Sequence, residues 1–199
     1  TYVQDFRANY EIEWFHGFSN RLSFVHRDLR SATDRIVYDF ASDAYPDHQI
    51  SSSEIRFFTR FAYREKFIEG ELNRLSLGTK YPKIYFEYAY GIKGLWNGQF
   101  NYHRASFTIE HWFQTDPIGW FEYLAQAGKT WGNLPYPLQT IHQGNETYSY
   151  DDYSYNMMNM IEFVSDEFVT VFATHHFNGY FLSKIPLMRK LKWREVVSA

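Results

Sequence analysis

Two adjacent imidazoles, His175 and His176, with Glu162, Asp166 and Glu167 just upstream, are the residues here whose types most suggest chemistry. Histidine and carboxylate together are a common donor set for zinc. The spacing argues against a shared ion. The surrounding run FVTVFATHHF, Phe168 to Phe177, has the pattern of a strand, and strand neighbours point to opposite faces. His175 then lies with Val169, Val171 and Ala173, and His176 with Phe168, Thr170 and Phe172. A helix would not unite them either, because helical zinc pairs use an i, i+4 spacing. The pair reads as strand-end histidines making hydrogen bonds, and no metal site is expected.

Other clusters are weaker. Asp39, Asp43 and Asp47 are spaced by four in a long connection, but the glycine and terminal glutamate of a calcium loop are missing, so a solvated acidic loop is expected. Asn145-Glu146-Thr147 is a formal glycosylation sequon, a short and unspecific match. YSYDDYSYN, Tyr148 to Asn156, could meet sugar faces or pack inside a barrel mouth. His142 with Asp151 and Asp152 offers an acid–base set for a hydrolase. No nucleophile elbow, phosphate loop or HExxH accompanies them, and those are the patterns that would fix such chemistry. No catalytic or cofactor-binding residue is expected, and the chain does not read as an enzyme.

The elements that carry these residues have a period of two. Phe6, Ala8, Tyr10, Ile12 and Trp14 alternate with Arg7, Asn9, Glu11 and Glu13, which on a strand gives one apolar and one polar face. The pattern returns over Ile55–Tyr63, Ile84–Tyr90, Ala105–Phe113 and Phe121–Ala127, and less clearly over Arg21–Leu29 and Glu167–Phe177. About seven strands and the start of an eighth are expected, antiparallel if successive ones pair.

Their connections alternate in length. His16–Asn20 and Thr115–Gly119 are tight, Phe67–Tyr81 is intermediate, and Arg30–Ser52 and Lys129–Ser165 are long. Long loops at one end and short turns at the other characterise outer-membrane barrels, whereas compact soluble domains seldom carry two structureless loops of more than about 15 residues. Composition is compatible. Aromatics make up 21% of the 199 residues and there is no cysteine, which removes disulfides and thiolate metal sites. A net charge of −3 with dispersed Lys and Arg gives no nucleic-acid patch. No run approaches the ~18 apolar residues of a membrane helix. The chain starts at Thr1 with neither initiator methionine nor signal peptide, and reads as a piece of a longer or processed chain.

The fold expected is therefore an all-β, antiparallel up-and-down transmembrane barrel segment over residues 1–199. Glu11, Glu13, Arg56, Arg60, Arg64, Glu87, Arg104, Glu110 and Glu122 are expected to line a wet lumen in cross-strand ion pairs. Tyr10, Ile12, Phe57, Phe61, Phe86, Tyr88, Phe107 and Ile109 are expected to face lipid. Trp14, Phe15, Trp112, Phe113, Trp120 and Phe121 border the tight turns, where an aromatic girdle is expected. A soluble antiparallel sandwich binding a glycan or apolar ligand through aromatic loops shares the same periodicity. A barrel-embedded hydrolase built on His142 is the third reading. The basic stretch Lys184–Arg194 could be read as a basic helix on anionic lipid, with Pro186 expected to interrupt it near its start; a turn leading into a strand is the alternative, and no partner is assigned to it.

The last third adds motifs: Gly128–Leu138 (GKTWGNLPYPL), Gly144–Thr147 (GNET), Glu162–Asp166 (EFVSD), His175–Gly179 (HHFNG) and Lys184–Val197 (KIPLMRKLKWREVV). In this order they resemble a family of large Bacteroidetes-type outer-membrane proteins. The barrel region of that family is a domain of unknown function that commonly follows an N-terminal carboxypeptidase-regulatory-like domain. The resemblance implies a barrel distantly similar to the outer-membrane assembly-factor (surface-antigen) superfamily, in which the loop corresponding to Lys129–Ser165 folds back into the lumen. The Arg-Gly-Phe/Tyr motif of true assembly factors is absent, so an insertase role is not implied. Implied instead are an outer-membrane location and a non-enzymatic role in transport, surface assembly or envelope biogenesis. The partners implied are membrane lipid, the rest of a parent barrel chain and an unidentified envelope protein. A self-contained eight-stranded barrel would further require a last strand from Trp193 to pair with Tyr2–Trp14.

Overall fold

A computed structural model describes residues 2–30, 49–71, 74–159 and 161–199. Asp39, Asp43 and Asp47 lie outside the described residues.

The alternating runs form strands as their period dictates. β1 (Tyr2–Phe15) and β2 (Phe18–Arg30) meet at a tight turn. Gly17 there has φ of 87°, and a Cβ on it would fall 2.1 Å from the Ala62 carbonyl oxygen, so only glycine fits both the left-handed backbone and the contact. β3 (Gln49–Ala62) follows, then a small hairpin of β4 (Lys66–Glu69) and β5 (Arg74–Gly78). β6 (Lys83–Gly91), β7 (Tyr102–Gln114) and β8 (Trp120–Trp131) come next. The connection after β8 carries a two-residue ladder, β9 (Thr140–Ile141) with β10 (Val164–Ser165), before β11 (Glu167–His176). A helical turn α1 (Pro186–Leu191) precedes β12 (Val196–Ser198).

The main sheet runs β1-β2-β3-β6-β7-β8-β11-β12, and every neighbouring pair is antiparallel. It has seven long strands and a short eighth, and it is open. β12 pairs with β11 over Thr174–His176, not with β1, so closure of these strands on themselves is not what the chain adopts. The middle link holds the β4–β5 hairpin, which periodicity over four or five residues did not reveal. Pro186 does not interrupt α1 but opens it, at the position where its missing N–H costs nothing. The helix ends at Lys192 with φ of 56°.

Register assigns the two faces. Phe24, Ile55, Tyr90, His103 and Trp131 are linked by direct cross-strand pairing, as are Leu22, Phe57, Tyr88, Ala105 and Lys129. One face is thus largely apolar from β1 to β11, with charge at the long-loop end, where Lys129 pairs with Glu167. The opposite face carries the direct pair Glu11 and Arg21, Arg56 between Ser23 and Ala89, and the directly paired row Arg60, Tyr85, Thr108, Gln126 and Thr170. Burial is inverted relative to a water-soluble sheet. On the apolar face Tyr10 is 68% exposed and Val169 78%. On the polar face Glu54 is 4% exposed and Thr170 6%. The buried apolar cluster, Leu29, Ile50, Phe100, Tyr102, Leu134 and Leu138, is small. Leu29, Ile50 and Tyr102 belong to the polar face at the long-loop end, and Leu134 and Leu138 come from the loop that covers it.

Candidate functional site

The polar face is a ladder of paired charges. Glu11 meets Arg21 at 2.8 Å on β2, and Glu13 meets Arg74 of the small hairpin at 2.5 Å. Glu54 holds Arg56 and also accepts from the Tyr102 hydroxyl. Arg60 meets Glu65 at 2.7 Å, Lys83 meets Glu110 at 2.8 Å, and Tyr85 donates to Glu110 at 3.1 Å. Glu122 lies 3.6 Å from the His176 ring. Glu87 shares the face, between Phe58 and Ser106. Arg64 departs from the expected row. β3 stops at Ala62, whose N–H donates to Gly17, and Arg64 sits beyond it in a turn with φ of 51°.

The connection between β8 and β11 folds onto this face. Arg104 donates to Thr130 Oγ1 at 3.3 Å and to the Leu138 carbonyl, tying the loop's first part to β7. The Tyr155 hydroxyl meets Thr170 Oγ1 at 2.7 Å, and its ring lies 5.1 Å from Phe172; both partners are on the polar face of β11. Partial burial, then the charges of Glu122 and Glu110, push the Tyr153 phenol up, although half of the residue is exposed. Beneath the loop a cavity of about 60 Å³ is lined by Arg27, Glu54, Tyr102, Arg104 and Gln139.

His142 sits in this loop with its Nε2 2.7 Å from Ser165 Oγ and its ring edge-on to Phe168. Ser165 is a partner the sequence did not suggest, since 23 residues separate the two and only the β9–β10 ladder unites them. Asp151 is turned into its own loop, accepting from the Tyr153 N–H at 2.9 Å. The structure gives His142 no described contact with Asp151 or Asp152.

The apolar face bears two rows of rings. At the turn end Phe15 stacks on Phe18 at 5.2 Å, Phe18 meets Phe61 at 6.2 Å, and Phe113 meets Phe121 at 5.5 Å. Trp14 also lies here, donating to Asn20 Oδ1 at 2.8 Å. Trp112 and Trp120, expected in this girdle, stand instead on the polar face, because each is one residue out of step with its phenylalanine neighbour: Trp112 pairs with Glu122 and Trp120 with His176. Adjacent aromatics in a regular strand split between faces; Trp14 and Phe15 share one because the register of β1 shifts between Glu13 and Phe15. At the long-loop end the row is Phe6, Phe24, Trp96, Tyr90 and His103, with Trp96 5.0 Å from Phe24 and Tyr90 stacked on His103 at 4.7 Å. Trp96 was illegible in the sequence, since it comes from the connection after β6.

The histidine pair divides as the strand period requires. His176 stacks on Trp120 at 3.8 Å on the polar face, and the His175 ring nitrogen lies 2.9 Å from the Ile118 carbonyl on the other side.

A family model described as "Family of unknown function (DUF5686) C-terminal domain" matches residues 4–199. No curated protein matches the chain.

Proposed function

The chain belongs to the DUF5686 C-terminal domain family, and we propose that it forms a sector of the wall of an outer-membrane β-barrel with a non-enzymatic role in transport, surface assembly or envelope biogenesis. The carrying observation is the inverted burial: a covered, ion-paired polar face and a bare apolar one. Large apolar side chains gain ~1.5–3 kcal/mol each on leaving water, so a face of them left open across seven strands calls for a cover. Lipid supplies it without a partner protein.

The dimensions agree. From His103 to Phe113, which mark the two aromatic rows on β7, the strand rises about 33 Å. At a tilt near 40° that is about 25 Å, the height of the apolar band of such barrels. Backbone groups in lipid must be paired, so this reading needs further strands of the parent barrel along the outer edges of β1 and of Glu167–Phe172. It adopts the setting of the resemblance, a Bacteroidetes-type outer membrane with a carboxypeptidase-regulatory-like domain ahead of the barrel.

The test is fractionation of native cells, followed by gel migration of the full-length protein with and without boiling. Recovery in the outer membrane with a heat-dependent shift supports the reading. Recovery in the soluble fraction with no shift overturns it.

A further inference from the structure

At the turn end of the sheet, a cavity of about 430 Å³ opens between the β4–β5 hairpin and β7, with Arg64, Lys66, Lys80, Leu77, Tyr81 and Trp112 in its wall. We propose that it is a binding site for a net-anionic phosphate ester carrying an apolar group, with the anion held by the three cations and the apolar part against Leu77 and Trp112.

The cations of the cavity differ from most of those on the sheet. Arg21, Arg56, Arg60, Arg74, Lys83 and Lys129 each sit against a carboxylate. Among the described residues neither Lys66 nor Lys80 has such a partner, and no acid lines the cavity. Glu65, the nearest acid in sequence, turns inward to Arg60 and Ser76. Unopposed cations concentrated in one concave place attract an anion. An arginine fork with two lysine point charges suits phosphate oxygens. Arg64 stands with φ of 51°, its guanidinium 5.3 Å from the Tyr63 ring. Such a backbone is uncommon for a residue with a side chain, and strain of this kind gathers at ligand sites. The cavity has the size of a small-molecule site and its mixed lining, apolar walls with a few polar anchors.

The cavity goes beyond the barrel reading and does not depend on it, because binding is measured in detergent whatever the cellular location. The full chain in non-ionic detergent is titrated with short-chain phosphatidylglycerol, and with short-chain phosphatidylcholine as the zwitterionic control, following tryptophan fluorescence and native mass. Saturable phosphatidylglycerol binding, at least tenfold weaker in Lys66→Gln/Lys80→Gln and unchanged in Lys93→Gln, is the expected result. Both altered lysines are exposed and unpaired, so the double variant keeps the unfolding midpoint of the parent, which the same samples report. Inorganic phosphate then separates the sources. Displacement of the lipid at equal concentration assigns the site to a soluble phosphate ester, and no displacement assigns it to a lipid headgroup. Equal binding of the two lipids, or no effect of the double variant, overturns the proposal.

Discussion

Placing arginine at Phe107 separates a lipid-facing sheet from a water-facing one. Phe107 lies on β7 between Phe86 and Ala127, on the apolar face, and is 45% exposed. It is four residues from His103 and six from Phe113, the markers of the two aromatic rows. That puts it about 13 Å along the strand from one row, or about 10 Å inside a band of about 25 Å. Near the centre of such a band arginine costs about 2–4 kcal/mol, against about 0–1 at its margins. A loss of about 3 kcal/mol lowers the folding equilibrium on the order of 10²-fold. The same arginine at Thr108 falls on the polar face, beside Glu110 and opposite Gln126, and is expected to cost under about 1 kcal/mol. On a sheet bathed in water both changes would stay within about 0.5 kcal/mol, since each replaces a partly exposed side chain. Urea unfolding of the full-length protein in lipid vesicles, followed by tryptophan fluorescence, measures the difference. Equal effects at 107 and 108, or a neutral Phe107→Arg, refute the face assignment.

Glu65 gives a pH dependence. It is buried, which raises its pKa, but hydrogen bonds from Arg60 and Ser76 and the Arg60 charge outweigh that and hold it below the usual glutamate value. A carboxyl whose folded pKa lies below its unfolded one stabilises fully above the unfolded value, and loses that contribution as pH falls through the folded one. Glu65→Gln is therefore expected to flatten the acid limb of the stability profile below about pH 4.5 and to cost about 1–3 kcal/mol at neutral pH; an unchanged acid limb would refute it. Arg104→Ala removes the donor to Thr130 and Leu138 and is expected to speed proteolysis within residues 132–141, with little change at the turn end, read by mass mapping of early cleavages. Gly91→Ala puts a methyl 2.1 Å from the Tyr102 ring; it is expected to cost about 1–3 kcal/mol by overpacking and to expose the same loop, whereas an unchanged unfolding midpoint would show that Tyr102 moves freely.

The strands were legible because their period is set by geometry alone. Phe6 through Trp14 cannot share a helix face, and the same reasoning found six more strands and the tight turns at Gly17 and Gly119. The glutamates and arginines of those strands could be assigned to one face by parity, because a side chain at i and one at i+2 must agree. Parity also marks the limits of nearness and counting as guides to a face. Nearness to a turn groups Trp112 and Trp120 with Phe113 and Phe121, yet adjacency in an unbulged strand puts neighbours on opposite faces. Counting onward from Arg60 carries Arg64 past the end of β3 at Ala62.

The remaining features depend on distance in the chain rather than period. Trp96 joins Phe6 and Phe24 across a connection, His142 meets Ser165 through a two-residue ladder, and Arg74 reaches Glu13 from 61 residues away. No local pattern encodes such pairings, which follow from where the loop and hairpin land. Their landing places share one physical cause. The polar face offers unsatisfied donors and acceptors that irregular backbone can meet, as Arg104 meets the Leu138 carbonyl. Most of the apolar face offers none, and a loop laid there would strand its own N–H and C=O groups. The connection at Trp96 arrives where Ser53 reaches out of the apolar row to bond the Leu95 carbonyl. The chain covers the face that can hydrogen-bond it and leaves the other bare, so the inverted burial follows from the same alternation that made the strands readable.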